Sequence, residues 1–392
     1  MTEAIVLLGA ARTPIGSFLG GLASLRAPEL GAIAIRCAVE RSGVAPTAID
    51  EVFMGSVIQA GVGQAPARQA SLGAGLSRAI PCTTINKVCG SGLKAVMLAA
   101  SQIAAGEYGV IVAGGMESMS NAPYLLRGLR QGLSLGDHGM EDANLTDGLV
   151  DAYGGGHMGL GGEKAAAKTG LTREDQDRFA LLSYQKARAA QQSGAFAAEI
   201  VPVDVKDRKG KITRVEQDET PRETSLEVLA ALTPAFKKDG TVTAGNASKL
   251  NDGAAALVVA SASRALALGA KPLARIVAQA QYAHEPDLFL LAPIGAIARV
   301  LEKAGWSAGD VDLYEVNEAF SGVEAVRREV GIAEDRFNVN GGAVALGHPI
   351  GASGARLLVT LLYALRARGK RRGVVSVCLG GGEAVALAVE AV

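Results

Sequence analysis

The stretch "AIRCAVERSGVAPTAIDEVFMG", Ala34–Gly55, recurs in altered form as "AIARVLEKAGWSAGDVDLYEVN", Ala296–Asn317. Ala34, Gly43 and Asp50 fall on Ala296, Gly305 and Asp312, each 262 residues further on. Both copies read as a helix closed near a glycine and followed by a short strand. The same offset carries Ser91-Gly92 onto Ser353-Gly354, where a glycine turn opens a second helix. A β-rich run follows each second helix: "GVIVAGG" from Gly109 and "GVVSVCLGGG" from Gly373. Self-similarity at a fixed spacing marks a duplicated architecture.

One more pair completes the duplication. "AAALVVAS", Ala254–Ser261, resembles "AVALAVEA", Ala384–Ala391. In the second half this strand follows the glycine turn at once. In the first half it arrives about 130 residues late, so an insert lies between about Ser120 and Ser248. The expected division is residues 1–119 plus 249–270 for the first half, 120–248 for the insert, and 271–392 for the second half. The strands are too apolar to face water and need helices over them, which makes the class α/β. The insert is more polar. Its "VKDRKGKITRVE", Val205–Glu216, reads as a charged hairpin turning at Lys209-Gly210.

Bulk properties exclude several partners. The 392 residues carry 39 basic and 39 acidic side chains, so nothing general draws the chain to nucleic acid or an acidic membrane. No apolar run is expected to reach the ~18 residues of a membrane span. The start, "MTEAIVLLGAARTPIG", carries an acid where a signal peptide would carry base, and reads as a first strand and turn. A cytoplasmic location is the expectation. Cys37, Cys82, Cys89 and Cys378 form no CxxC pair, and no HExxH occurs, so no metal site is expected.

Cys89 stands in "NKVCGSGLKAV", just before a helix. The first turn of a helix offers unpaired N–H groups and the positive end of the dipole. A thiolate there is stabilised, and its pKa falls below the usual ~8.5. Gly90, Ser91 and Gly92 leave room for a carbonyl beside the backbone N–H groups, as an oxyanion hole requires. The other reading is a buried cysteine packed under a helix. In the duplication Cys89 falls on Gly351, which favours a role peculiar to one half.

A nucleophile needs a base. Among His138, His157, His284 and His348, His348 stands out in the glycine-rich "NGGAVALGHPIGASGAR", three residues before the position equivalent to Cys89. A pseudo-twofold axis would bring the two helix mouths face to face. Cys378 ends an apolar strand before Gly380-Gly381-Gly382, and reads either as a second acid/base or as a buried strand residue. Asn317, in "EVNEAF", reads as a group that orients a water or carbonyl, or as a turn residue bonded to itself.

Together these segments closely resemble the thiolase family. "ARTPIG" at Ala11 and "TAGNASKLNDGAAA" at Thr243 also fit, and the likeness runs from the first strand to the last residue. The resemblance implies a five-layered αβαβα core with an inserted loop domain. It implies a ping-pong enzyme that interconverts two acyl-CoA molecules with a 3-ketoacyl-CoA and free CoA. By resemblance Cys89 carries the acyl group, His348 activates it, Cys378 moves the α-proton, and Asn317 holds a water at the enolate oxygen. The N–H groups of Cys89 and Gly380 would form a second oxyanion hole. No cofactor is implied, coenzyme A being substrate and product. The resemblance places Leu149, His157, Met158, Phe236, Ala244 and Ser248 along the pantetheine, with Ala319 and Phe320 near its reactive end. Arg222 is the candidate near the nucleotide. The basic hairpin residues Lys206, Arg208, Lys209, Lys211 and Arg214 read as solvated charge.

The chain departs from the family pattern at Lys249, at "FLLAP", Phe289–Pro293, and at Glu383. "HMG" at His157–Gly159 resembles the acetoacetyl-CoA type, while the Phe289 segment leaves a longer-chain 3-ketoacyl-CoA thiolase as the alternative. A β-ketoacyl synthase would carry histidine in place of Cys378. A non-catalytic acyl-CoA binder would lack one of Cys89, His348 or Cys378. Family members are dimers or tetramers, and "SNAPYLLRGLRQGLSLGDHG", Ser120–Gly139, resembles the tetramerisation segment.

Overall fold

The computed structural model describes residues 3–154 and 156–392. The first half contributes β1 (Ile5–Arg12), α1 (Ala27–Ser42), β2 (Glu51–Gly55), α2 (Pro66–Gly73), β3 (Cys82–Ile85), α3 (Ser91–Ala104) and β4 (Val110–Ser118). The insert holds α4 (Met158–Thr169), α5 (Arg173–Gln192) and the hairpin β5 (Val203–Lys206) and β6 (Ile212–Val215). Then come β7 (Asn251–Ser261), β8 (Ala274–Ala283), α6 (Ala292–Ala304), β9 (Leu313–Val316), α7 (Ile350–Ala367), β10 (Arg372–Leu379) and β11 (Glu383–Ala391).

The repeated residues explain the repeated elements. Both α1 and α6 carry proline in the first turn and end on a left-handed glycine, Gly43 (φ 70°) and Gly305 (φ 67°). Asp50 Oδ2 accepts the N–H groups of Gly109 and Val110, both at 2.8 Å. Asp312 Oδ2 accepts those of Arg371 and Arg372 at 3.0 and 2.9 Å. Each aspartate thus pins the start of the next strand to the strand before it.

Strand order confirms the duplication. The first half runs β3-β2-β4-β7-β1 and the second runs β9-β10-β11-β8, with like pairs matching in direction. Only β2/β3, β2/β4 and β9/β10 are parallel. A three-residue antiparallel ladder, Ile5–Leu7 against Ala274–Ile276, joins β1 to β8, and with the two-residue strand Gly16–Ser17 paired to β7 the sheet has ten strands.

Five layers follow from where the cores lie. One core packs α3 and α7 between the inner faces of both halves, from Ile111 and Leu257 to Val377 and Leu387. A second covers the outer face of the first half with α1 and α2, around Leu30 and Val258. A third covers the outer face of the second half with α6, around Val300 and Ala386. Helix α7 is 18 residues with mean hydropathy 1.2, long and apolar enough to cross a membrane, which the sequence reading did not foresee. Of that window 83% is buried inside the protein, so its apolarity is that of a central core helix.

The insert is anchored by charge. Arg12, fully buried on β1, pairs with Glu199 at 2.6 Å and Asp218 at 2.7 Å. The charged hairpin forms as read, with Gly210 at φ 86° and the turn closed on Asp207. Its Arg214 pairs with Asp204 and Glu216, and Lys206, Arg208, Lys209 and Lys211 are exposed.

Candidate active site

The mouths of α3 and α7 meet at the centre of the molecule. The helices cross where two glycines allow it. A Cβ on Gly92 would lie 2.9 Å from the Ala355 nitrogen, and one on Gly354 would lie 2.6 Å from the Leu93 nitrogen. No alanine fits at such distances. The crossing brings the segments that carry Cys89 and His348 to one place.

Cys89 precedes α3 in a tight turn. Ser91 Oγ accepts the Lys87 N–H at 2.8 Å and donates to the Val88 carbonyl at 2.6 Å. Val88 is held at φ 45°, a strained setting for a β-branched residue and one that clusters at functional sites. Cys89 is 8% exposed. Burial pushes its thiol up to about 12, against the pull of two N–H groups, those of Gly380 and of Cys89 itself. Burial thus acts against the drop expected at the helix mouth, because it disfavours the charged form. Both N–H groups nevertheless converge on the sulfur, one from each half.

Cys378, at the end of β10, is fully buried. Burial raises its thiol strongly, and the neighbouring Cys89 adds to that, while Asn317 and the Ala319 N–H oppose it. The two thiols are thus close neighbours, with Asn317 beside the second. The Asn317 backbone is fixed by the Ser376 carbonyl at 3.0 Å. Its side chain is completely buried, and neither Oδ1 nor Nδ2 has a hydrogen-bond partner of sound geometry. A self-bonded turn asparagine would not leave both atoms free, so this amide is aimed at something else.

His348 is 6% exposed, and its backbone N–H donates to Asn251 Oδ1 at 3.0 Å. Its Nδ1 lies 2.6 Å from Ser353 Oγ, which donates its own proton to the Pro349 carbonyl at 2.9 Å. A hydroxyl has one proton, so Ser353 accepts from Nδ1–H. Nε2 is then the unprotonated nitrogen, and it has no partner in the protein. Burial, helped by the Arg356 guanidinium, lowers the imidazole to about 3. In the resting site Cys89 is a thiol and His348 is neutral. The sequence reading missed Ser353 as the group that sets this tautomer, although its match to Ser91 marked the position.

A cavity of about 530 Å³ opens onto His348. Leu149, His157, Phe236, Ala244, Ser248 and Phe320 line it, with Lys249 and Asn251. His157 stacks on Phe236 with centroids 4.5 Å apart, and its Nδ1 caps α4 by accepting the Gly159 N–H. Ala319 holds the Ser248 N–H through its carbonyl at 3.0 Å. Met158 lies outside this lining and faces Gly380: a Cβ there would be 3.8 Å from the Met158 methyl. Phe289 and Leu290 are buried behind α4 and Phe320. Arg222 does not line the cavity. It is exposed and lies over the Tyr184 ring at 5.5 Å. Glu383 pairs with Lys87, tying the Gly380–Gly382 loop to the Cys89 turn. His138 is bonded to the Ser134 carbonyl, and His284, beside Glu285, donates its backbone N–H to the Gly382 carbonyl at 2.9 Å. No cluster of three or more metal-ligating side chains occurs among the described residues.

Residues 5–263 match the thiolase N-terminal domain and residues 270–391 the thiolase C-terminal domain. The chain belongs to the thiolase family. This thiolase is 52% identical to an acetyl-CoA acetyltransferase of Chromobacterium violaceum, over 98% of the chain and 99% of that protein. It is 53% identical to one of Escherichia coli over 98% of each. The crystal structure of the Bacillus anthracis acetyl-CoA acetyltransferase superposes with a TM-score of 0.98 at 42% identity, covering 100% of this chain and 99% of that one.

Proposed function

We propose that this thiolase is an acyltransferase that interconverts two acetyl-CoA with acetoacetyl-CoA and CoA through an acyl-Cys89 intermediate. The observation that carries the reading is the convergence of N–H groups from both halves on one buried thiol, with a second thiol and an unpartnered amide beside it. The name shared by relatives about half identical to it supports the same substrate pair.

In thiolysis, Cys89 sulfur attacks the keto carbon of acetoacetyl-CoA while His348 Nε2 takes its proton. The bond between the keto carbon and the α-carbon breaks, and the electron pair leaves as the enolate of acetyl-CoA. Cys378 gives that enolate a proton. Coenzyme A then attacks the acetyl-Cys89 thioester, giving its thiol proton to the Cys378 thiolate, and His348 returns its proton to the Cys89 sulfur as the second acetyl-CoA leaves. Condensation is the reverse, with Cys378 thiolate taking the α-proton. Asn317 stabilises the enolate oxygen through a bound water, and the Cys89 and Gly380 N–H groups stabilise the oxyanion at the acyl-enzyme. Losing one such donor typically costs ~10²–10³ in rate.

The test mixes pure protein with acetoacetyl-CoA and CoA and follows loss of the 3-keto absorbance. No loss would overturn the reading. Acetoacetyl-CoA is expected to be preferred over longer substrates, because Met158 lies against Gly380 and borders one small cavity with Phe289. Each methylene buried in an open pocket would favour binding by ~0.8 kcal/mol, whereas overpacking costs ~1–3 kcal/mol. A kcat/KM that rises steadily from four to ten carbons would replace this assignment with a broad degradative thiolase.

The quaternary proposal is a homotetramer. Within Ser120–Gly139, Tyr124 is 64% and Leu129 58% exposed, and Leu126, Leu133 and Leu135 are exposed too. A second copy of the chain would cover them. Light scattering that shows a monomer at micromolar concentration would refute this.

A further inference from the structure

The cavity beside His348 contains a cation that the reaction above does not use. Lys249 follows Ser248 into the wall, and it is the only lysine or arginine in the lining, which includes no carboxylate. Its ammonium donates to Tyr184 Oη at 2.6 Å and to the Val344 carbonyl at 2.9 Å. Both acceptors are neutral. No carboxylate lies within 4 Å of it among the described residues. Arg222 lies over the same Tyr184 ring, 5.5 Å from its centroid, and Lys249 is 5.1 Å from it. Two basic side chains therefore lie against one phenol with no carboxylate in contact.

A half-buried charge is tolerated when it is paired or fully hydrogen-bonded. Lys249 is neither. An ammonium carries three donors, and two are used. The third has no acceptor among the described residues, and the side chain borders open space. Burial and the neighbouring Arg222 lower this lysine to about 7, the direction expected of a cation whose counter-charge the protein itself does not supply.

We propose that Lys249 is a substrate-binding residue whose free N–H donates to an oxygen of the coenzyme A part of the acyl-CoA. The inference rests on the acyl-CoA reading of the cavity. That oxygen is either an amide or hydroxyl oxygen of the pantetheine arm or a phosphate oxygen of the nucleotide. The two existing bonds give the side chain a fixed aim. They also tie α5, through Tyr184, to the segment four residues before His348, through Val344. Substrate would complete a three-point brace.

The experiment compares wild type with Lys249→Met, which keeps the length and removes the donors. Substrates are acetoacetyl-CoA, acetoacetyl-pantetheine and acetoacetyl-N-acetylcysteamine. For acetoacetyl-CoA, KM is expected to rise about tenfold or more with a smaller change in kcat, as for a lost hydrogen bond from a charged donor. Persistence of that loss with the pantetheine ester assigns the oxygen to the arm, and its disappearance assigns it to a phosphate. An unchanged KM, or a fall in kcat alone that is equal on all three esters, overturns the proposal and leaves Lys249 a packing residue. Calorimetric titration with CoA reads the same contact without turnover, so an enzyme inactive on acetoacetyl-CoA would fail the functional reading and still test Lys249. Lys249→Gln, neutral but still a donor, should give an intermediate Kd and serves if the methionine variant does not fold.

Discussion

The mouths of α3 and α7 are the same piece of architecture used in two ways. Both central helices carry a Ser-Gly pair near the start, Ser91-Gly92 opening α3 and Ser353-Gly354 following the first three residues of α7. At α7 the first N–H groups are satisfied from inside. The Gly351 N–H donates to Glu117 Oε2 at 2.8 Å, and the same buried carboxylate accepts from Val57 and Ile58. At α3 the equivalent position is Cys89, and no carboxylate fills it. Its sulfur faces N–H groups from both halves instead. A helix mouth that the protein closes with its own anion is structural. One that it leaves to a neutral thiol is available for charge that arrives with a substrate.

Four experiments break or sharpen this contrast. The largest effect belongs to Cys89→Ala, which should lower both thiolysis and acyl exchange by more than roughly 10⁴ and leave the fold intact. Wild type incubated briefly with acetyl-CoA should gain one acetyl mass per subunit. That mass on a peptide without Cys89 would end the assignment. Next, Cys378→Ala should still take up the acetyl group and yet lose ~10²–10⁴ in condensation, the usual range for a proton-transfer group. Equal loss of both steps would make Cys378 a structural neighbour of Cys89.

The third concerns how burial and dipole compete. With the Cys89 thiol pushed up to about 12, the thiolate fraction grows tenfold per pH unit all through pH 6–10. Alkylation of Cys89 by iodoacetamide should climb with that slope and show no plateau. A plateau near pH 7 would mean that the helix mouth wins after all. The smallest effect is on stability. Glu117→Gln keeps one acceptor oxygen and turns an amide N–H toward backbone donors, at a cost of about 1–3 kcal/mol, read as a lower Tm. The negative charge of Glu117 raises the Cys89 thiol, so the variant should also speed alkylation at pH 8. An unchanged rate would show that the two mouths are not electrostatically coupled.

The duplicated fold was readable because its markers are local. Glycine after a helix and aspartate before a strand do the same job in both copies, so they recur at one spacing. Cys89 and Cys378 drew notice because each lies beside a run of glycines, and the family resemblance set Asn317 and Gly380 with them. Three features were not. The raised Cys89 thiol depends on how completely two halves bury it, which no local pattern records. The Nδ1–H tautomer of His348 depends on where one serine proton goes. Lys249 looked only like a departure, because its acceptors, Tyr184 and Val344, lie 65 and 95 residues away in the chain. Arg222, the candidate near the nucleotide, is exposed and lies over the Tyr184 ring, a contact that no local pattern in the sequence announces.

The position of β7 has a consequence for how the chain becomes a protein. It sits between β1 and β4 in the sheet, paired along seven residues of one and nine of the other. Yet the whole insert is made before it. During synthesis the first half waits with an empty slot at its centre, and the apolar faces of α1 and α3 have only part of their sheet to rest on. Contacts of such high sequence separation slow folding, and exposed strand edges invite wrong partners meanwhile. The insert is thus a delay built into the first half, and the second half, whose β10 and β11 are joined by a glycine turn, has none. Ribosome-bound chains halted before Asn251 should therefore engage chaperones far more than chains halted after Ser261.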